Sequence, residues 1–251
     1  MPGGERGAEI TPAGSAAVAD AAQLLAEQAE ILEGIARAAP LSQTLARAAS
    51  SLERRVPGAA VTIGVLESDG VIRHPKRSPI PDAITEAFSA TPATTDLGRL
   101  LRGAGRDGLV FDVATEPALA HLAGQLVAAG YVSTWVHQLR SPGDGRLLGV
   151  LAVLSPSGGA PAADVRSSCE RIADLASIAI DRQAFEDRLR HQAQHDALTG
   201  LPNRQLLLSR VDALLATASG PDADAALLFV DLDQFKVIND SLGHAAGDDV
   251  L

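Results

Sequence analysis

FVDLDQFKVINDSLGHAAGDDVL, residues 229–251, is the most informative stretch of this 251-residue chain. The apolar run Ala225–Val230 leads into it. Its continuous character, without polar alternation, predicts a central strand buried on both faces. Asp231 and Asp233 follow at the strand's end, where an α/β sheet presents its ligands. Alternation along an extended strand turns both carboxylates to one face. Hard oxygen donors of this kind suit a magnesium ion beside phosphates. An Asp-x-Asp pair alone also fits an ordinary surface turn, so the assignment needs support from elsewhere in the sequence.

A second stretch supplies that support. HDALTGLPNR, residues 195–204, resembles the opening of a GGDEF domain, the diguanylate cyclase fold. Residues 229–251 resemble that domain's first strand, turn and following helix, in the family's order and at a compatible distance. The resemblance implies the joining of two GTP molecules into cyclic di-GMP with release of two diphosphates. Each monomer of that family holds one GTP, so subunits must face one another. It further implies that Asp231 supplies a metal carboxylate and Leu232 a backbone carbonyl, with Mg2+ or Mn2+ as the ion. Phe235 and Lys236 then lie in a phosphate-binding turn, and Asn239 and Asp248 hydrogen-bond the guanine edge. Asp233 and Asp240 support the loop, and His244 has a structural role. Asp196 and Arg204 are expected to pair at the start of the domain.

The family's Gly-Gly-Asp/Glu-Glu-Phe hairpin and its later basic residues do not occur within these 251 residues. The expectation is therefore a partial, incomplete domain, and a polypeptide ending at Leu251 that does not turn over GTP. The strand 225–230 expects neighbours to pair with, and without them residues 205–251 are expected to be loosely packed. Other readings stay open: a non-enzymatic regulator with a degenerate or split GGDEF domain, or part of a cyclase–phosphodiesterase with a downstream EAL domain.

Upstream, apolar residues from Ala16 to about Arg55 recur at helical spacing, with Pro40 predicted to divide the stretch and Ser42 near the second start. Ala59–Leu66 and Val71–His74 read as a hairpin around residues 67–70. Pro81–Phe88 reads as a short helix, and residues 91–108, with Gly103, Gly105 and Gly108, as a loop. Gly108–Val113 predicts a strand and Pro117–Ala129 a helix stopped by Gly130. Tyr131–Leu139 and Arg146–Leu154 form the clearest hairpin, joined by the turn residues SPGDG. A long helix begins near Pro161 and Asp164 and reaches at least Arg190; its polar last turns keep a narrow apolar stripe that invites pairing with a second copy.

This order of elements resembles a GAF domain. AAVTIGVLESDGVIRH (59–74), GLVFDVATEPAL (108–119) and the stretch 131–165 carry the resemblance, with Asp112 in the place of a frequent family aspartate. It implies a central antiparallel sheet with helices on one side and a ligand pocket on the other. The overall class is α/β: a flexible tail (1–19), a GAF-like sensor (20–180), a connecting helix (181–195) and a partial GGDEF domain (196–251). Rotation of the connecting helix against a dimer mate would reposition two catalytic modules.

The GAF ligand is unknown. The Asn-Lys-Phe-Asp-Glu set of cyclic-nucleotide binders is missing, and Cys169 lies in the last helix, away from a bilin attachment point. His74, His121 and His137 read as ordinary core or surface histidines, so neither haem nor bilin is expected. Tyr131, Ser133, Trp135 and His137 share strand parity and form the candidate pocket face.

Composition sets the outer bounds. The formal charge is −10, from 31 acidic and 21 basic residues, with no cluster of Lys and Arg, so no nucleic-acid partner is expected. A single cysteine excludes an internal disulfide and any multi-thiolate zinc site. No membrane segment or secretory leader is read, and a cytoplasmic homodimer, paired through the GAF and connecting helices, is expected.

Overall fold

Pro40 cannot donate to a helix and cannot sit inside one without a clash. The first helical stretch accordingly splits around it, into α1 (Pro12–Ala36) and α2 (Leu41–Glu53), with Pro40 as the N-cap of the second. The computed structural model describes residues 12–74, 80, 91–92, 94–103, 108–217 and 226–251. The predicted helix Pro81–Phe88 lies outside the described residues. α1 already begins at Pro12, within the stretch read as a flexible tail; Pro in the first turn and the following alanines favour helix there. The chain divides into two compact units, Met1–Gln183 and Ala184–Leu251.

Among the described residues the first unit has six strands: β1 (Ala60–Leu66), β2 (Val71–Arg73), β3 (Thr91–Pro92), β4 (Leu109–Asp112), β5 (Ser133–Arg140) and β6 (Leu147–Ser155). They pair antiparallel throughout, in the order β3-β2-β1-β6-β5-β4. Both expected hairpins form: Val65 sits opposite Arg73, and Trp135 opposite Val153. In the second hairpin, Ser141 and Arg146 close the turn through Ser141 N–H to the Arg146 carbonyl (2.8 Å), with Gly145 at φ +72°.

α3 (Asp96–Gly103) interrupts the region read as loop. Its glycines concealed the helix, but Thr95 caps it by accepting from Gly98 N–H at 3.0 Å. Leu97 and Leu101, one turn apart, are buried beneath it. A 3-10 turn (Pro117–Leu119) precedes α4 (Ala120–Ala128), and Gly130 stops that helix at φ +89°. α5 runs from Ala163 to Gln194.

Two apolar cores flank the sheet. Ile31, Leu45, Leu52 and Ile172, from α1, α2 and α5, pack with Ile63 and Leu151 on one face. Leu101, Leu122 and Leu126, from α3 and α4, pack with Ile72, Val136 and Val150 on the other. Helices thus cover both faces, where the resemblance implied one. This explains why LLGVLAVL in β6 is apolar without alternation: Leu151 and Val153 feed one core, Val150, Ala152 and Leu154 the other.

Asp181 on α5 holds the β5–β6 turn, accepting from Ser141 Oγ (2.7 Å) and pairing with Arg146 (3.1 Å). Arg182 donates to the Ile35 carbonyl at the end of α1. On α4, Gly124 is exposed and a Cβ there meets nothing within 4 Å. Gly124→Ala is therefore expected to stabilise this unit by about 0.5–1 kcal/mol, read as a higher thermal midpoint by circular dichroism.

Candidate functional site

The second unit carries the acidic segment. α6 (Arg204–Thr217), α7 (Phe235–Leu242) and α8 (His244–Val250) are its helices after α5. The expected strand 225–230 does not form over its described part. Residues 226–230 join no ladder, and Leu228, Phe229 and Val230 are 84%, 86% and 80% exposed. An apolar run becomes a strand only when a neighbour completes its hydrogen bonds, and among the described residues no strand pairs with it.

Asp231 and Asp233 are both exposed at the end of this run. The Leu232 carbonyl accepts from Phe235 N–H at 3.3 Å, and its second lone pair is still open to a cation. Gln234 takes a left-handed conformation, φ +61°, and turns the chain sharply into α7. Lys236 is exposed on the first turn of that helix, and Asp240 and His244 are also exposed. Asp231 and the Leu232 carbonyl are a hard-oxygen pair that fits a magnesium ion, but two donors do not make a closed site. Among the described residues no three His, Cys, Asp or Glu side chains converge on one point.

α7 and α8 approach closely at Gly247. A Cβ there would fall onto Asn239 Oδ1, within 2.9 Å of Asn239 Cγ and 3.3 Å of the Phe235 ring. Only glycine admits this contact. It seats the partly buried Asn239 side chain against the residue preceding Asp248.

Asp196 and Arg204 do not pair among the described contacts. Asp196 instead accepts from the Leu198 and Thr199 N–H groups (3.1 and 3.0 Å) and from Thr199 Oγ1 (3.1 Å). These bonds, the Thr199 backbone bond foremost, hold its carboxyl below the usual range. A turn that satisfies a carboxylate this fully leaves little reason for an exposed ion pair.

Asn203, in the stretch HDALTGLPNR, ties the start of α6 to the end of α5. Its N–H donates to the Gln194 carbonyl (2.8 Å), its Nδ2 to the Ala193 carbonyl (2.8 Å), and its Oδ1 caps α6 by accepting from Leu206 N–H (3.0 Å). An asparagine before a run of helix formers is a recognisable capping signal.

In the first unit, Ser133 and Trp135 line a cavity of about 200 Å³ together with Val56, Val153, Val165 and Cys169. His137 is buried on the same strand, its ring 5.7 Å from that of Trp135. Tyr131 belongs to the core on the other face. It precedes the first paired residue of β5, so strand parity does not govern it. Cys169 is fully buried in α5, and burial pushes its thiol up to about 12, which keeps it protonated and unreactive.

Residues 193–251 match the family described as Diguanylate cyclase, GGDEF domain, so the chain carries part of a GGDEF domain. It is 44% identical over 94 residues to Diguanylate cyclase TpbB of Pseudomonas aeruginosa (strain UCBPP-PA14), covering 32% of this chain and 22% of that protein. It is 51% identical over 80 residues to Uncharacterized protein Rv1354c of Mycobacterium tuberculosis (strain ATCC 25618 / H37Rv), covering 32% and 12%. The chain thus spans less than a quarter of either relative's length. The GAF domain of a phosphoenolpyruvate-protein phosphotransferase from Coxiella burnetii superposes with a TM-score of 0.50 at 15% identity, over 66% of this chain and 96% of that one. The first unit therefore has a GAF-like fold. No helix among the described residues is long and apolar enough to cross a membrane.

Proposed function

We propose that this chain is the sensory and regulatory part of a diguanylate cyclase, which converts two GTP molecules into cyclic di-GMP and two diphosphates. The observation that carries this reading is the GGDEF family match over residues 193–251, reinforced by 44% identity over 94 residues to a diguanylate cyclase. Asp231 and the Leu232 carbonyl would hold Mg2+ or Mn2+. When bound, the ion lowers the pKa of the ribose 3′-hydroxyl and offsets charge on the attacked phosphate. Phe235 and Lys236 meet the phosphates, Lys236 as a mobile cation. Asn239, which both donates and accepts, and Asp248, which accepts when ionised, orient the guanine edge.

The GAF-like unit supplies input and dimerisation in the cytoplasm. Ile178, Phe185 and Leu189 on α5 are 39%, 56% and 49% exposed, at spacings of a coiled-coil seam, which supports pairing of two copies along that helix.

The test is chromatography of nucleotides after incubation with GTP and Mg2+. A chain that carries these residues together with a Gly-Gly-Asp/Glu-Glu-Phe hairpin is expected to form cyclic di-GMP, and Asp231→Asn in it to lower the rate by at least about 100-fold through loss of a metal carboxylate. The Met1–Leu251 polypeptide is expected to form none. Full activity in Asp231→Asn, or cyclic di-GMP from Met1–Leu251 above a metal-free control, would overturn these assignments.

A further inference from the structure

We propose that the cavity beside Trp135 is a binding site for a small, neutral, single-ring aromatic molecule bearing one hydroxyl group. The cavity lies between one face of the sheet, at Ser133, Trp135, Val153 and Ser155, and the first turns of α5, at Val165 and Cys169. The segment 157–162 closes it on the solvent side and is itself exposed, so that side is the route in.

Size sets the first limit. At about 200 Å³ the space is far too small for a nucleotide, a haem or a bilin. An engineered apolar cavity of about 150 Å³ in another protein takes up benzene, so one substituted ring fits here. Charge sets the second. Every lining side chain is uncharged, and an ion brought in would lose its hydration without a partner. The polar groups set the third. Ser133 Oγ donates its only hydrogen to the Ser157 carbonyl (2.6 Å), so towards the cavity it can only accept. Ser155 Oγ accepts from Ser157 N–H at 3.1 Å and keeps its hydrogen, which the oxygen of the same guest hydroxyl can accept. A guest that donates one hydrogen bond to Ser133, and is otherwise apolar, matches this lining. The indole of Trp135 offers an aromatic surface to the ring. It is fixed in place because Gly108 leaves room for it: a Cβ on Gly108 would come within 2.6 Å of Trp135 Cε2.

The site stands apart from the cyclase reading, since one concerns the first unit and the other residues 193–251. Trp135 is the only tryptophan of the chain, so its fluorescence reports this cavity alone. Titration of the full 251-residue chain with 4-bromophenol, whose bromine quenches on contact, is expected to give saturable quenching. Ser133→Ala is expected to weaken 4-bromophenol about three- to tenfold while leaving bromobenzene unchanged, the effect of one lost hydrogen bond. Val165→Phe fills the space and removes the saturable phase. Circular dichroism checks that this variant folds, and Cys169→Met replaces it if it does not. The proposal is overturned by linear quenching with the slope of a free tryptophan analogue, or by saturable quenching that persists in a folded filling variant.

Discussion

Gly149→Ala is expected to destabilise the first unit by about 3 kcal/mol, lowering its thermal midpoint by roughly 6–12 °C. Gly149 lies on β6 opposite Val65 of β1, within the best-buried part of the sheet. A Cβ at this position would run into the Gly64 carbonyl oxygen and lie 3.3 Å from the Val65 Cα. Both obstacles are backbone, so no side-chain rotation relieves them. Relief requires β1 and β6 to move apart, and that loosens both cores at once, because β6 feeds each of them. The same substitution at Gly124, in open space on a helix, has the opposite sign. Thermal unfolding of the two variants side by side is the check. A Gly149→Ala midpoint within 2 °C of the parent, against the roughly 6–12 °C expected, would show that the strands yield at little cost.

The second large effect is a loss of stability as the pH falls from about 6.5 to about 4. His74 is buried on the strand side of the second core, with its Nδ1 3.0 Å from Thr62 Oγ1. Its ring lies over Gly64, where a Cβ would come within 2.6 Å of Ile72 Cγ2 as well as meeting the imidazole. Burial disfavours the charged imidazolium and lowers the His74 pKa to about 4. Above pH 6.5 the ring is neutral whether the chain is folded or not, and the group costs nothing. Below that, the unfolded chain takes up a proton that the folded chain refuses, so unfolding becomes easier until the folded ring also titrates near pH 4. A shift of this size corresponds to about 3 kcal/mol across that window. Carboxylates held low by their partners, such as Asp69 and Asp144, act at lower pH. Urea unfolding at pH 7 and pH 4.5 measures the loss, and His74→Gln should remove most of the difference. An unchanged slope in that variant would move the effect to other groups.

Local chemistry was legible wherever a residue type restricts the backbone. Pro40, Gly130 and the SPGDG turn placed their breaks correctly because each acts through sterics alone. The β5–β6 hairpin followed from two apolar runs about that turn, and the long α5 from periodicity over many residues. α3 was hidden because Gly98 and Gly103 lower helix propensity, and its buried Leu97–Leu101 pair works through tertiary contact; the local cap at Thr95 was the one signal that could have marked its start. The run ending at Val230 shows the reverse failure. Its composition is that of a central strand, but strand formation depends on partners that composition does not report. In the second unit the residues of the acidic segment could be named from sequence, whereas the seating of Asn239 on Gly247 and the triple engagement of Asn203 arise from how separate helices meet. Tyr131 was placed on the wrong side of the sheet because parity was extended past the first paired residue of its strand.

Asn203 has a mechanical consequence. One side chain and its own amide bolt the last turn of α5 to the first turn of α6, leaving no slack at the corner. Torque delivered along the end of α5 must therefore be passed on to α6 rather than absorbed by a swivelling linker. An aspartate in this place would keep the cap but lose the Nδ2 bond to Ala193, turning a welded corner into a hinge.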